Sequence, residues 1–228
     1  MSFAIKTTIN PQDAADFIVA AMLKQFKQGK PVLLFLTGGS SILVGVEIGD
    51  LLRKILEENP AYDLTITLTD ERYGPVNHLN SNYFQLLEKG FNLPEAKFIP
   101  ILTGDDRNIA TEKFQAALDQ ELKLNRENKY IIGLFGVGAD GHTAGILPES
   151  EAVRSGGWAL GYDTPIFPRI TITPKVIEQL DEAVVWLQGK EKWSALEDLK
   201  KDIEIAKQPA QVLKKVPLLT IFTDFKII

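Results

Sequence analysis

The sequence predicts an α/β protein built on a mainly parallel sheet with helices on both faces. Three observations carry that prediction. Short apolar runs recur along the chain at Val32–Leu36, Leu64–Thr69, Ile131 onward, Ala183–Gln188 and Pro217–Phe222. They are too short to span a membrane and suit strands buried on both faces. Stretches of helical spacing separate them, which implies right-handed crossovers between parallel neighbours. Several runs also stop in glycine or in charged residues, as ligand loops do at the carboxyl end of an open α/β sheet.

Composition narrows the function. In 228 residues, 45% hydrophobic content is enough to fill a core, and the chain reads as one domain over 1–228. A net charge of -5 argues against a nucleic-acid or anionic-membrane binder, whose affinity comes from many cationic contacts. An anionic metabolite then requires a local cationic pocket. The absence of cysteine excludes disulfides, thiolate zinc sites and cysteine nucleophiles. The opening MSFAIKTTINPQ lacks a basic segment followed by an apolar one, so no secretory signal is expected and the cytoplasm is the expected location.

Taken in order, Asn10-Pro11-Gln12-Asp13 reads as a capped helix start, followed by Ala14, Phe17, Ile18, Ala21 and Met22 at helical spacing up to Gly29. Val32–Leu36 is a buried strand. It ends in Thr37-Gly38-Gly39-Ser40-Ser41, and Leu43–Glu58 is a helix closed by Asn59-Pro60. A glycine turn feeding a helix start lets backbone N–H groups approach a phosphate, although neither the P-loop nor the dinucleotide spacing is present. Leu64–Thr69 is the next strand, with the loop charges Asp70-Glu71-Arg72 at its end, then a polar stretch containing His78 and a helix from about Asn82 to Lys89. Lys97–Ile101 is a strand, and Asn108–Arg126 an amphipathic helix with Ile109, Phe114, Ala117, Leu118 and Leu122 on its apolar side. The central run IIGLFGVGADGHTAGILP, Ile131–Pro148, passes from strand to a glycine loop bearing Asp140 and His142. Beyond the unassigned stretch Glu149–Gly161, Ile170–Thr173 alternates as a strand. Pro174 opens a short helix, Ala183–Gln188 is buried strand, and a helix carries Lys192 near its start and runs to about Lys201. Gln208-Pro209-Ala210 starts a last short helix before the strand Pro217–Phe222.

If the strands are parallel, the loops after them meet at one end of the sheet. A helix terminus stabilises an anion by about 0.3–1 kcal/mol. A charge pair about 4 Å apart at an effective dielectric near 20 contributes a Coulomb term of about 4 kcal/mol before desolvation. A dianionic phosphate would therefore depend more on Arg72, Arg169 and Lys192 than on the glycine turn. Each feature also has a bland explanation when taken singly: a plain βα turn, a solvated charge triplet, an incidental loop histidine, a surface ion pair.

GGSS, DERYGPVNHLNSNY, GVGADGHTAGILP, PRITIT, GKEK and QPAQVL stand in an order that resembles the 6-phosphogluconolactonase family, from Thr37 to about Leu213. The most specific pieces are DER with SNY at Ser81–Tyr83, and G-x-G-x-D-G-H-T-A. That family sits beside the glucosamine-6-phosphate deaminases in a sugar-phosphate isomerase/deaminase group. The resemblance implies a Rossmann-like domain with a small additional sheet, and hydrolysis of 6-phospho-D-glucono-1,5-lactone to 6-phosphogluconate in the oxidative pentose phosphate pathway. It implies no metal or organic cofactor. Carried over by position, His142 would be the general base toward water, a role suited to imidazole. Asp140 would orient or charge-stabilise it. Gly38, Gly39, Ser40, Arg72, Arg169 and Lys192 would hold the 6-phosphate, and Asp70 would shape the mouth. His78 would be a loop residue near the pocket. The expected partner is the small phosphosugar lactone alone, with no nucleic acid or membrane, and the expected state is a monomer or weak homo-oligomer.

Three positions depart from the family pattern. Gly145-Ile146-Leu147-Pro148 stands where S-L-F-P is usual, Tyr130 replaces an Asp before the central strand, and GGST has become GGSS. Two alternatives stay open. The deaminases read M-D-E-Y where this chain has Thr69-Asp70-Glu71-Arg72, and the position of their catalytic Glu is Leu147 here, which cannot transfer a proton. A sugar-phosphate sensor of the transcription-regulator type would need a DNA-reading helical module, and nothing basic enough precedes Pro31.

Overall fold

The computed structural model describes residues 3–123 and 126–226. Ala4–Thr7 forms β1 and Pro11–Phe26 forms α1, which begins as expected: Asn10 accepts from Gln12 N at 3.3 Å and Pro11 holds the first helical position. β2 (Val32–Leu36) is buried at every residue. It passes through a 3-10 turn at Gly39–Ser41 into α2 (Ile42–Glu58). β3 (Leu64–Leu68) is followed almost at once by β4 (Asp70–Arg72), then by α3 (Asn82–Glu88), β5 (Lys97–Ile99) and α4 (Arg107–Lys123). The central run is β6 (Tyr130–Gly136). The remaining elements are β7 (Ala159–Tyr162), β8 (Arg169–Ile172), α5 (Pro174–Ile177), β9 (Glu182–Leu187), α6 (Trp193–Leu199) and β10 (Leu218–Thr223).

Two sheets result. The larger has strand order β1-β10-β9-β6-β2-β3-β5, every neighbouring pair parallel. The smaller is antiparallel, in the order β4-β8-β7. From β2 the chain moves outward to β3 and β5, then returns to lay β6 on the other side of β2. The order of strands therefore reverses between β2 and β6, and ligands in such sheets bind at that switch point, beyond the carboxyl ends. The apolar inner strands and the helix faces that cover them make one core, with Phe35, Phe114 and Phe135 among its largest fully buried side chains.

Four readings change. Asp70-Glu71-Arg72 is not a solvated loop but the strand β4, with Asp70 and Glu71 4% and 1% exposed. Ile109 is exposed on α4 and stays outside the core. That helix ends at Lys123; of the expected extension, Leu124 and Asn125 lie outside the described residues, and Arg126 begins a separate 3-10 turn. Lys97–Ile101 shortens to a three-residue strand, and the unassigned Glu149–Gly161 holds a 3-10 turn at Glu151–Arg154 and the start of β7. No helix among the described residues is long and apolar enough to cross a membrane.

Candidate active site

At the switch point the loops after β2 and β6 face each other across a cavity of about 160 Å³. Gly38, Gly39, Ser40, Asp70, Arg72, His142, Arg169 and Lys192 all line it. Asp140 is the one residue marked from the sequence that does not, and it stands directly behind His142. The expected site is thus brought together in one place.

The histidine loop is built for close packing. Gly138 N donates to His142 O at 2.9 Å, and Gly141 turns the chain with φ +80. A Cβ on Gly138 would lie 2.2 Å from the His142 ring and 2.7 Å from Asp140 Oδ1, so only glycine lets the pair fold back over the backbone. Asp140 Oδ1 accepts from His142 N at 3.1 Å and contacts His142 Nδ1 at 2.5 Å. Burial alone would raise the Asp140 carboxyl, but the His142 N–H and the neighbouring imidazole outweigh it and hold the group below the usual carboxylate range. An ionised Asp140 favours the tautomer with hydrogen on Nδ1, leaving the Nε2 lone pair available. That nitrogen has no hydrogen-bond partner among the described residues.

The cations arrive from three elements. Arg72 and Arg169 are register partners in β4 and β8, so two like charges sit side by side. Asp70 is lodged between strands and accepts from Arg169 Nη1 at 2.8 Å; these side chains are only 6% and 14% exposed. Arg72 Nη1 donates to Asn80 O at 2.9 Å and its guanidinium lies over the Phe167 ring at 5.7 Å. Burial lowers the Arg72 pKa, Asp70 counters that, and Arg169 adds to it. Both guanidinium Nε groups are buried without a partner. Lys192 lies at the end of a 3-10 turn entered through Gly189, whose φ of +103 suits glycine, and donates to Ser40 Oγ at 3.0 Å. His78 is not among the residues lining the cavity; its Nε2 is 2.8 Å from Arg72 O, bracing the strand that carries the arginine.

Two residues escaped the sequence reading. Glu71 accepts from Arg72 N, Ser81 Oγ, Asn82 N and Tyr83 N at 2.9, 2.8, 2.6 and 3.0 Å, fixing the start of α3 against β4. Burial pushes its carboxyl up, and these four donors offset only part of that. Asn82, 2% exposed, lines the cavity and donates to Asp70 O at 3.0 Å. Its Oδ1 lies against Gly38, where a Cβ would approach to 2.0 Å, and it has no hydrogen-bond partner. The SNY motif pointed to this segment, but the contact with Gly38 is set by the fold. A related fit holds Gly145, whose φ is +70 and whose Cβ position lies 2.6 Å from Asp70 Oδ2. The departure at Gly145 is therefore matched to the buried carboxylate beside it. Among the described residues no three His, Cys, Asp or Glu side chains are grouped as a metal ion would require.

A parallel sheet with glycine turns, three cations and a carboxylate-braced imidazole gathered at its switch point defines an α/β protein with a polar cavity at the carboxyl end of the strands. The chain belongs to the family of glucosamine-6-phosphate isomerases and 6-phosphogluconolactonase, whose model matches residues 10–220. It is 29% identical over 192 residues to a 6-phosphogluconolactonase of Neisseria meningitidis, covering 79% of each chain. The fold is shared with a 6-phosphogluconolactonase of Leishmania guyanensis, with TM-score 0.79, 22% identity and coverage of 98% of this chain and 96% of that one. It is also shared with a monomeric glucosamine-6-phosphate deaminase, with TM-score 0.73, 17% identity and 97% of both chains covered. The fold therefore spans both activities, and the side chains must distinguish them.

Proposed function

We propose that this chain hydrolyses 6-phospho-D-glucono-1,5-lactone to 6-phosphogluconate. The observation that carries the proposal is the Asp140–His142 pair opening onto a cavity that also holds Arg72, Arg169 and Lys192. In this reading His142 Nε2 takes a proton from water as the water oxygen bonds to the lactone carbonyl carbon. Asp140 stabilises the resulting imidazolium. The tetrahedral adduct collapses with cleavage of the bond from that carbon to the ring oxygen, which receives the proton from His142 as it becomes a hydroxyl. A lactone is already an activated ester, so positioning and one base suffice. Gly38, Gly39 and Ser40 with Lys192 receive the 6-phosphate, and Arg72 and Arg169 add charge. Arg169 shares its charge with Asp70, so we assign Lys192 the larger part of the grip. The deaminase alternative is disfavoured by Leu147, an aliphatic side chain where that chemistry needs a carboxylate.

The test is the disappearance rate of freshly generated lactone, with and without protein, corrected for spontaneous opening. His142→Gln should lower kcat by about 10²–10⁴-fold, the usual contribution of a general base, while 6-phosphogluconate still binds. Wild-type turnover in that variant removes the base assignment. Arg169→Ala should act mainly on KM, as loss of binding shared by ground and transition states does. Ammonia released from glucosamine 6-phosphate would reverse the ranking of the two reactions. We read residues 1–228 as one catalytic unit working in the cytoplasm as a monomer or weak homo-oligomer, which light scattering and cell fractionation would check.

A further inference from the structure

The QPAQVL stretch contributes no side chain to the cavity, yet it supplies two buried glutamines, Gln208 and Gln211, each 4% exposed. Gln208 Nε2 donates to Ala195 O at 2.8 Å. Gln211 Nε2 donates to Asp198 O at 3.0 Å and to Gln208 Oε1 at 2.5 Å. Ala195 and Asp198 lie one turn apart in α6, whose N-cap is Lys192. On its other side Gln208 packs under the histidine loop: a Cβ on Gly141 would lie 2.4 Å from Gln208 Cγ. The Ala210 N–H donates to Gly141 O at 3.0 Å. Gly141 immediately precedes His142. The two amides therefore hold this stretch to the helix that carries Lys192, while the Gln208 methylene and the Ala210 N–H hold it to the loop that carries the imidazole.

We infer that Gln208, braced by Gln211, is a positioning residue that sets the separation between Lys192 and His142. The pair gauges the site for an anionic group held a fixed length from the reacting carbon. The inference rests on the proposed reaction for the identity of that substrate. Glutamine suits the post because one amide donates to the helix carbonyl while accepting from its neighbour. An aliphatic or acidic side chain does not do both.

The test uses the full chain with Gln208→Met, which keeps an unbranched side chain beside Gly141 and removes both hydrogen bonds. Calorimetric titration compares 6-phosphogluconate, which spans both ends of the site, with inorganic phosphate, which occupies one. Affinity for 6-phosphogluconate should fall about tenfold, in the range of coupling between linked sites, with phosphate affinity unchanged. Lactone kcat should fall by about 10²-fold, as for a misplacement near 1 Å. Gln211→Met, one step removed, should move the same quantities less, and it carries the test if Gln208→Met fails to fold. If both ligands weaken by one common factor, or neither weakens, the glutamines serve only stability and the inference falls. Absence of lactone turnover by the unaltered chain would remove the proposed reaction, while the two affinities would still decide the gauge.

Discussion

The two ends of the main sheet use similar residues to opposite effect. At the amino end Lys97 and Lys129 both donate to Glu121 at 2.6 Å, Arg126 pairs with Asp181, and Tyr130 OH donates to Glu182. Burial would raise Glu121, but Lys129 and Lys97 outweigh it and hold the carboxyl low. At the carboxyl end, Ser41 Oγ, Arg72 Nε, Asn82 Oδ1 and Arg169 Nε are buried without partners. Buried polar groups are normally satisfied, so a cluster of exceptions marks where a ligand can complete the bonding. Among the described residues these are four of the six buried side-chain atoms without partners, the other two being Gln25 Oε1 and Gln211 Oε1 away from the cavity.

Substitutions at the two ends should separate activity from stability. The largest effect is expected from Gly138→Ala, which drives a methyl into the His142 ring and should cost at least about 10²-fold in kcat. Its thermal midpoint should move little; a collapse of stability instead would show that the loop also holds the fold. Asp140→Asn comes next, with kcat down about 10²-fold and KM little changed, since the imidazolium formed during the step loses its anion. An unchanged kcat would remove Asp140 from the pair. Tyr130→Phe reverses the pattern: it strips a buried carboxylate of its donor and should destabilise by about 1–3 kcal/mol at unchanged kcat/KM, read by denaturant unfolding. It should also make stability depend more steeply on pH. Burial already holds the Glu182 carboxyl above its ordinary range, against the donated Tyr130 hydrogen bond. The folded state thus keeps that proton longer than the unfolded chain, and stability falls as pH rises from the ordinary carboxyl range through the raised value. Losing the donor raises it further. The smallest effect is expected from Lys97→Ala, whose side chain is 59% exposed and whose partner keeps Lys129; about 0–1 kcal/mol and no kinetic change.

Most of the main sheet was legible because inner strands are apolar throughout, and VLLFL or AVVWL admits few other readings. The strands missed were β1 and β7, whose short, partly exposed stretches carry no continuous apolar run. β4 was hidden for another reason: its side chains are charged, and only the facing strand β8 with Arg169 makes Asp70 a buried residue. His142, Asp140 and the cations stood out in the sequence because those residue types follow or begin apolar strands, and all but Asp140 line the same cavity. Asn82 and Gln208 did not show, since an asparagine at a helix start and a glutamine before a proline look like ordinary turn residues. What distinguishes them is a glycine far away in sequence that approaches too closely to tolerate any other side chain.

The parallel pairing of Ala4–Thr7 with Thr220–Thr223 has a consequence for solubility. β10 reads LLTIFT and is buried at five of its six positions, whereas the strand laid on it is short, largely exposed and carries Lys6. The first strand thus acts as a selvage, covering backbone groups that would otherwise recruit another polypeptide. A chain shortened to begin at Thr8 would bare a longer, greasier border and should self-associate with the loops around its cavity still intact.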